Sequence, residues 1–143
     1  MQNINKLILS ICTVLMLAGG ATGCGSSPPG PQTSPVKGRV TLDDQPLPDA
    51  VVEFVPAQGR PSIAITDSNG NYVLKYTQTA DGAMTGISYT VKITTGREAS
   101  ASEGVEVEAA VPEKVPAKYN ASSELATEIQ HGENVLNFDL KSK

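Results

Sequence analysis

The sequence predicts an all-β protein: a seven-stranded β-sandwich that follows an N-terminal export segment and a flexible linker. Three observations support this fold class. From Val36 onward, apolar and polar residues alternate with a period of two, which is typical of half-buried strands. Turn-forming residues separate these runs, and the composition, with 13 Gly, 10 Pro and 4% aromatic residues, is that of a turn-rich chain. A chain of 143 residues supplies a single core.

Residues 1–23 have the order of a lipoprotein signal peptide. A positively charged start that includes Lys6 is followed by the apolar run 7–17 and then by small residues up to Gly23. The apolar run has about 11 residues, whereas a membrane-spanning helix needs about 20. We therefore expect cleavage rather than a permanent transmembrane anchor, and Cys12 would be lost with the cleaved segment.

The four residues Ala-Thr-Gly-Cys at 21–24 resemble a lipobox, although Ala21 stands where this motif usually has Leu. The resemblance implies that the Cys24 thiol carries diacylglycerol and that Cys24 is the first residue of the mature chain. Ordinary cleavage near Ala21, which would leave a free thiol, is the alternative. Several acyl chains on one cysteine hold a protein firmly on a bilayer, so we expect membrane lipid to be bound through Cys24. Gly25, in place of an aspartate retention signal, favours the outer membrane of the cell envelope.

A flexible tether follows the cysteine. Residues 25–35 read GSSPPGPQTSP and lack apolar side chains that could be buried, while the prolines keep the chain extended. The predicted organisation is therefore a signal peptide at 1–23, a lipidated cysteine and tether at 24–35, and a β-sandwich at 36–143.

The sandwich is predicted from seven apolar runs. They lie at 36–42, 50–55, 62–66, 72–76, 89–93, 125–129 and 136–140. Asn69 and Gly70 separate the third run from the fourth, and this dipeptide predicts a β-hairpin because both residues tolerate a positive φ. Residues 95–123 break the alternation and are predicted to form a long, solvated acidic loop.

Four motifs occur in order along these strands. They are VKGRVTL at 36–42, PLPDAVVEFVP at 46–56, TDSNGNY at 66–72 and GISYTVKI at 86–93. Together they resemble the carboxypeptidase regulatory-like domain, a transthyretin-like (prealbumin-like) β-sandwich. VPAKYN at 115–120 and GENVLNFDL at 132–140 resemble the tails of small bacterial lipoproteins that carry this domain. The resemblance covers nearly the whole mature domain, and it implies a fold rather than an activity.

The sequence does not support an enzyme. A transthyretin-like hydrolase of 5-hydroxyisourate uses several histidines, an arginine and a C-terminal Tyr-Arg-Gly-Ser, whereas this chain has His131 alone and ends at Lys143. Serine and cysteine nucleophiles need a positioned base, and none is apparent. The net charge of −4 argues against a nucleic-acid partner, since phosphate binding needs a basic face. We expect no catalytic residue and no cofactor.

Two candidate metal clusters fail the test of ligand spacing. Asp67, Asn69 and Asn71 alternate like the start of a calcium loop, but the glycine comes at the fourth position instead of the sixth. Gln78 also stands at the twelfth position, where calcium loops have an acid. The other cluster, Glu103, Glu106 and Glu108, fits a solvated acidic loop. No metal site is predicted.

An intramolecular isopeptide bond occurs in related sandwich domains, between a first-strand lysine and a last-strand Asn or Asp, assisted by a buried acid. Lys37, Asn137 and Asp139 supply the reacting positions. The acid is missing where the resemblance would place it, at 94–95, and alternation turns Glu53 away from the core. We therefore expect no such bond.

Two functions remain open. The first is a membrane-anchored envelope lipoprotein whose sandwich is a non-enzymatic structural or interaction module, with an unidentified envelope protein or glycan as partner. The alternative is an accessory carbohydrate- or peptide-binding module that uses the 95–123 loop and Tyr119, whose ring could stack on a sugar.

Overall fold

The computed structural model describes residues 32–99 and 109–143, and this part of the chain is all-β. It contains eleven short strands and one 3-10 turn at Ala117–Tyr119. The strands are β1 (Thr33–Ser34), β2 (Val36–Leu42), β3 (Gln45–Pro46), β4 (Val51–Pro56), β5 (Ser62–Ile65), β6 (Asn71–Val73), β7 (Ala83–Met84), β8 (Ser88–Thr94), β9 (Ala126–Glu128), β10 (Asn134–Val135) and β11 (Phe138–Leu140). The predicted fold class is confirmed at this level.

Two main sheets carry most of the strands. One is a four-stranded antiparallel sheet with the order β5-β4-β8-β9. In the other, β2 is central: it pairs antiparallel with β3 and β6 on one side and parallel with β10 and β11 on the other. A small ladder joins β1 to β7. None of these sheets closes on itself.

The buried side chains of both sheets form one core. The alternation predicted from the sequence is observed, since the buried residues of the long strands all lie at alternate positions, with partly buried Gly38 and Leu42 in the same phase of β2. The buried apolar residues are Val36, Val40, Leu47, Ala50, Val52, Phe54, Ala64, Tyr72, Leu74, Ala83, Tyr89, Val91, Ile93, Val115, Ile129 and Leu140. The ring of Phe54, from the four-stranded sheet, meets that of Phe138, from the other sheet, at 6.2 Å between centroids. Such packing is consistent with a β-sandwich.

The strand count differs from the prediction. The seven predicted runs overlap β2, β4, β5, β6, β8, β9 and β11, and the four additional strands are each two residues long. Two residues are too few to show a period, so the sequence carried no signal for them. One of them, β1, lies in the predicted tether: Ser34 is buried, and its hydroxyl oxygen accepts a hydrogen bond from the Gly132 N–H. The folded part therefore begins before Val36.

The hairpin predicted at Asn69-Gly70 forms, but with a different turn geometry. Of the two residues, only Gly70 has a positive φ, at 76°. Its N–H donates to the carbonyl oxygen of Asp67, and the Asp67 N–H donates to that of Asn71, which makes a three-residue loop with a glycine bulge. The two-residue turn with both φ values positive occurs instead at Asp43 and Asp44, between β2 and β3.

The arms of the Asp67–Asn71 turn link the two sheets. Ile63 and Lys75 exchange two backbone hydrogen bonds of 2.9 Å across the hairpin. Beyond this bridge, β5 pairs with β4, whereas β6 pairs with β2. The hairpin therefore connects two different sheets instead of adding a continuous ladder to one.

The last strands pair with the first one around Gly38. β10 and β11 keep a single register along β2, but the ladder is interrupted at 136–137. There the Leu136 carbonyl turns inward and accepts a hydrogen bond of 2.8 Å from the Tyr72 hydroxyl. A Cβ at Gly38 would lie 1.7 Å from that carbonyl oxygen. The side-chain oxygen of Asn137 replaces the backbone carbonyl as acceptor at this point of the ladder, and the Arg39 N–H donates to it at 2.9 Å.

Gly38→Ala is expected to destabilise the fold by about 3 kcal/mol or more, because the methyl group would expel the Leu136 carbonyl and break its hydrogen bond to Tyr72. Gly59→Ala is the matched control. That site has open space around it but a φ of 105°, so only backbone strain of about 1 kcal/mol is expected. Urea unfolding measures both losses, and equal losses would contradict a steric role for Gly38.

Ser62→Ala is expected to stabilise the fold by about 1 kcal/mol. The Ser62 hydroxyl is buried and has no hydrogen-bond partner among the described residues. Thr66→Val is the contrast, because the Thr66 hydroxyl accepts from the Ala50 N–H and donates to the Leu47 carbonyl, so its removal should destabilise. Thermal unfolding compares the two variants. A loss of stability in Ser62→Ala would mean that the hydroxyl is hydrogen-bonded in solution.

Candidate functional site

The calcium-like residues of the hairpin are committed to their own turn. The Asp67 carboxylate accepts hydrogen bonds from the Asn71 and Asn69 backbone N–H groups, at 2.9 and 2.8 Å, and from the Asn71 side chain. These bonds, led by the one from the Asn71 backbone, lower the pKa of Asp67. Within residues 32–99 and 109–143, no group of three or more His, Cys, Asp or Glu side chains converges as metal ligands would.

A second acid, Glu113, connects the two ends of the predicted 95–123 loop through hydrogen bonds to its carboxylate, an arrangement that we term the clasp. Its carboxylate accepts from the Thr94 hydroxyl, from the backbone N–H and hydroxyl of Thr95, and from the backbone N–H groups of Gly96 and Val115. Partial desolvation acts to raise the pKa of Glu113, but the hydrogen bonds outweigh it and lower the pKa to about 2. The carboxylate is therefore a structural acceptor that stays ionised.

The clasp makes the base of the predicted loop part of the fold. Thr95 and Val115 are buried, and Arg97 and Val111 exchange backbone hydrogen bonds of 3.0 and 2.9 Å. Sequence reasoning missed this role of Glu113, because all of its donors except the Val115 N–H lie 17 to 19 residues earlier in the chain. The acidic residues Glu103, Glu106 and Glu108 lie outside the described residues, as does Cys24.

The side chains considered for an isopeptide bond have separate partners. The Lys37 ammonium forms an exposed ion pair with Glu133 at 2.5 Å. The Asn137 oxygen accepts the Arg39 N–H, and the Asp139 carboxylate accepts a hydrogen bond of 2.7 Å from the Thr41 hydroxyl. All three are engaged on the exposed side of the sheet.

Tyr119 connects the C-terminal tail to the core. It is half-buried against the core, and its hydroxyl oxygen accepts a hydrogen bond of 3.3 Å from the Lys141 N–H. The Lys118 ammonium lies 5.1 Å from the ring centroid, so a cation faces the ring. These contacts are those of a packing residue, and sugar stacking by Tyr119 stays a prediction. His131 is exposed in the turn before β10.

The most distinctive surface feature is a set of exposed aliphatic side chains, which we term the aliphatic row. It consists of Ile63, Ile65, Val73 and Val135, with exposed fractions of 44%, 60%, 55% and 58%. The sequence signal was available: residues 63–65 and 72–74 are apolar at consecutive positions, which indicates strands with apolar side chains on both faces. Sequence reasoning predicted strands at both runs and did not single out their outward-facing residues.

Strand register brings the aliphatic row together. The Ile63–Lys75 bridge and the Asp67–Asn71 turn place Ile65 and Val73 on the two arms of one hairpin. Val73 is in turn paired with Lys37 of β2, and Lys37 is paired with Val135 of β10. The row therefore crosses four strands that belong to both sheets.

Two open grooves and several cations border the aliphatic row. One groove, of about 310 Å³, is lined by Lys37, Gly38, Arg39, Asn71, Tyr72, Val73, Val135 and Asn137. The other, of about 400 Å³, is lined by Arg60, Pro61, Ile63, Lys75, Tyr76, Thr77 and Gln78. Lys37 and Lys75 form exposed ion pairs, with Glu133 and Asp81, of the kind that contribute little to stability. The surface therefore combines aliphatic side chains with lysine ammonium groups whose ion-pair partners can be replaced.

Comparisons with known proteins give no relative: no protein-family model, no curated protein and no solved structure matches the chain. The carboxypeptidase regulatory-like assignment therefore remains a prediction from sequence motifs. Among the helical segments of the described residues, none has the length and apolar character needed to cross a membrane.

Glu113→Gln is expected to destabilise the fold at neutral pH, because the amide nitrogen cannot accept the hydrogen bonds that the second carboxylate oxygen accepts. The pKa of Glu113 is lower in the fold than its ordinary value of 4.5, so the clasp stabilises fully above that pH. Its contribution is lost as the pH falls towards about 2.

Urea unfolding at a series of pH values measures this effect. The difference between wild type and Glu113→Gln should shrink below pH 4.5. Glu128→Gln, at an exposed end of β9, is the control and should track the wild type. A wild-type advantage that stays constant down to acidic pH would show that the charge of Glu113 has no part in the clasp.

Proposed function

We propose that this chain is a lipid-anchored lipoprotein of the bacterial cell envelope, whose β-sandwich is a non-enzymatic interaction module. The order of signal peptide, lipobox-like Cys24 and proline-rich tether supports the anchor. Gly25 supports an outer-membrane location. The transthyretin-like character of the sandwich belongs to this proposal, and it rests on the four strand motifs.

The aliphatic row is the observation that carries the interaction role. Soluble monomers rarely expose large contiguous apolar patches, and such patches often mark binding surfaces. Here Val73 and Val135 flank Lys37 on one face of the sheet, and Ile63 and Ile65 lie on the strand that the hairpin joins to β6. Exposed aliphatic side chains occur on β5, β6 and β10. The outward positions of a strand do not need to be apolar for the strand to form.

The acids that could do chemistry have structural roles, which favours a non-enzymatic module. The Asp67 carboxylate holds its turn, and the Glu113 carboxylate holds the base of the 95–123 loop. A general base needs a partner within hydrogen-bond reach of a substrate site. His131, exposed in a turn, has no such setting on the described surface.

Labelling of cells with a palmitate analogue tests the anchor. Wild type should incorporate the label and fractionate with membranes, whereas Cys24→Ala should lose the label because it has no acceptor thiol. Cys12→Ala is the matched control: its cysteine lies in the cleaved segment, so labelling should be retained. Equal labelling of wild type and Cys24→Ala would refute the anchor.

A further inference from the structure

We infer that the aliphatic row docks the domain onto the lipid bilayer to which Cys24 is attached. The inference rests on the proposed lipid anchor and names the partner of the same surface. The contact consists of Ile65, Val73 and Val135, with Lys37 and Lys75 beside them for lipid phosphates.

The short connection to the anchor limits where the domain can go. Nine peptide units separate Cys24 from Thr33, where β1 begins. Fully extended, each unit spans at most about 3.6 Å, so the connection reaches roughly 30 Å. A domain of about 100 residues has a radius of gyration of roughly 13 Å. An anchored domain is therefore confined to the vicinity of the bilayer.

The connection joins the fold beside the aliphatic row. β1 is followed directly by β2, which carries Lys37 in the middle of the row. The Pro35 carbonyl accepts the Asn134 N–H at 2.9 Å, which fixes the start of the domain next to β10 and its exposed Val135. This end of the aliphatic row is therefore among the parts of the domain closest to the tether.

The chemistry of the row matches a lipid surface. Aliphatic side chains gain free energy when they leave water for the acyl boundary, and lysines lay their methylene stems along apolar surface while the ammonium stays polar. The ion pairs of Lys37 and Lys75 are half exposed, so lipid phosphates can replace Glu133 and Asp81. Protein interfaces are enriched in aromatic residues. The aliphatic row consists of Ile and Val, and of the two tyrosines in the bordering grooves, Tyr72 is buried in the core and Tyr76 is half-buried.

Methyl NMR of the mature, acylated chain in lipid nanodiscs tests the docking. The discs contain phosphatidylethanolamine, phosphatidylglycerol and a headgroup spin label. Paramagnetic broadening should be several-fold larger at Ile65, Val73 and Val135 than at two exposed reference alanines, Ala121 and Ala126. Ala126 lies on β9, three strands away from β5.

A double variant, Ile65→Ser with Val73→Ser, is expected to lose docking to the bilayer. Both side chains are exposed, so the fold should tolerate the change, and the excess broadening at Val135 should disappear. Ala126→Ser is the matched control and should keep the wild-type profile, with Ala121 as reference. If the double variant does not fold, the wild-type profile still decides the question.

The outcomes separate the two proposals. Equal broadening of the row and the reference alanines in an acylated chain would overturn docking and leave the anchor intact. Row signals that respond to the number of copies per disc, and not to the spin label, would mean that a second copy covers the surface, which also overturns docking. A mature chain whose mass shows no acyl groups would overturn both the anchor and the docking.

Discussion

The contact between Gly38 and the Leu136 carbonyl is the constraint on which the closure of the fold depends. β2 is the only described strand that pairs with the last two strands, and their register is fixed where the missing Cβ lets the carbonyl turn inward to Tyr72. A buried carbonyl without a partner is costly, so the hydroxyl and the glycine act together. Asn137 completes the arrangement by replacing a ladder acceptor.

Hydrogen-bonded carboxylates perform a comparable task in the loops. Asp67 folds a turn from donors within four residues, whereas Glu113 collects donors from the distant end of β8. Both are acceptors of several N–H or O–H groups, and this stabilises the ionised form. Two acids that look available for chemistry in the sequence, Asp67 and Glu113, are thereby engaged in hydrogen bonds within the fold.

The aliphatic row arises because the β5–β6 hairpin is apolar on both faces. Its inward residues, among them Tyr72 and Leu74, fill the core, which leaves Ile65 and Val73 on the outside. The β6 arm of the hairpin pairs with β2, and β2 pairs with β10, so the outer face of β6 continues across these two strands. The aliphatic row is thereby located at the junction of the sheets, and its Val135 lies on β10, next to the start of β2.

The sequence by itself determined the all-β class, the inward phase of each long strand and the position of the Asp67–Asn71 turn, because period-two patterning and turn propensity are local properties. Tertiary structure decided what depends on distant partners. It determined the two-residue strands and the burial of Ser34, whose hydroxyl accepts a hydrogen bond from Gly132. It also determined the hydrogen bond between Glu113 and Thr95 and the register that pairs Lys37 with Val73 and Val135. Register between strands far apart in the chain sets each of these contacts, and no local pattern encodes that register.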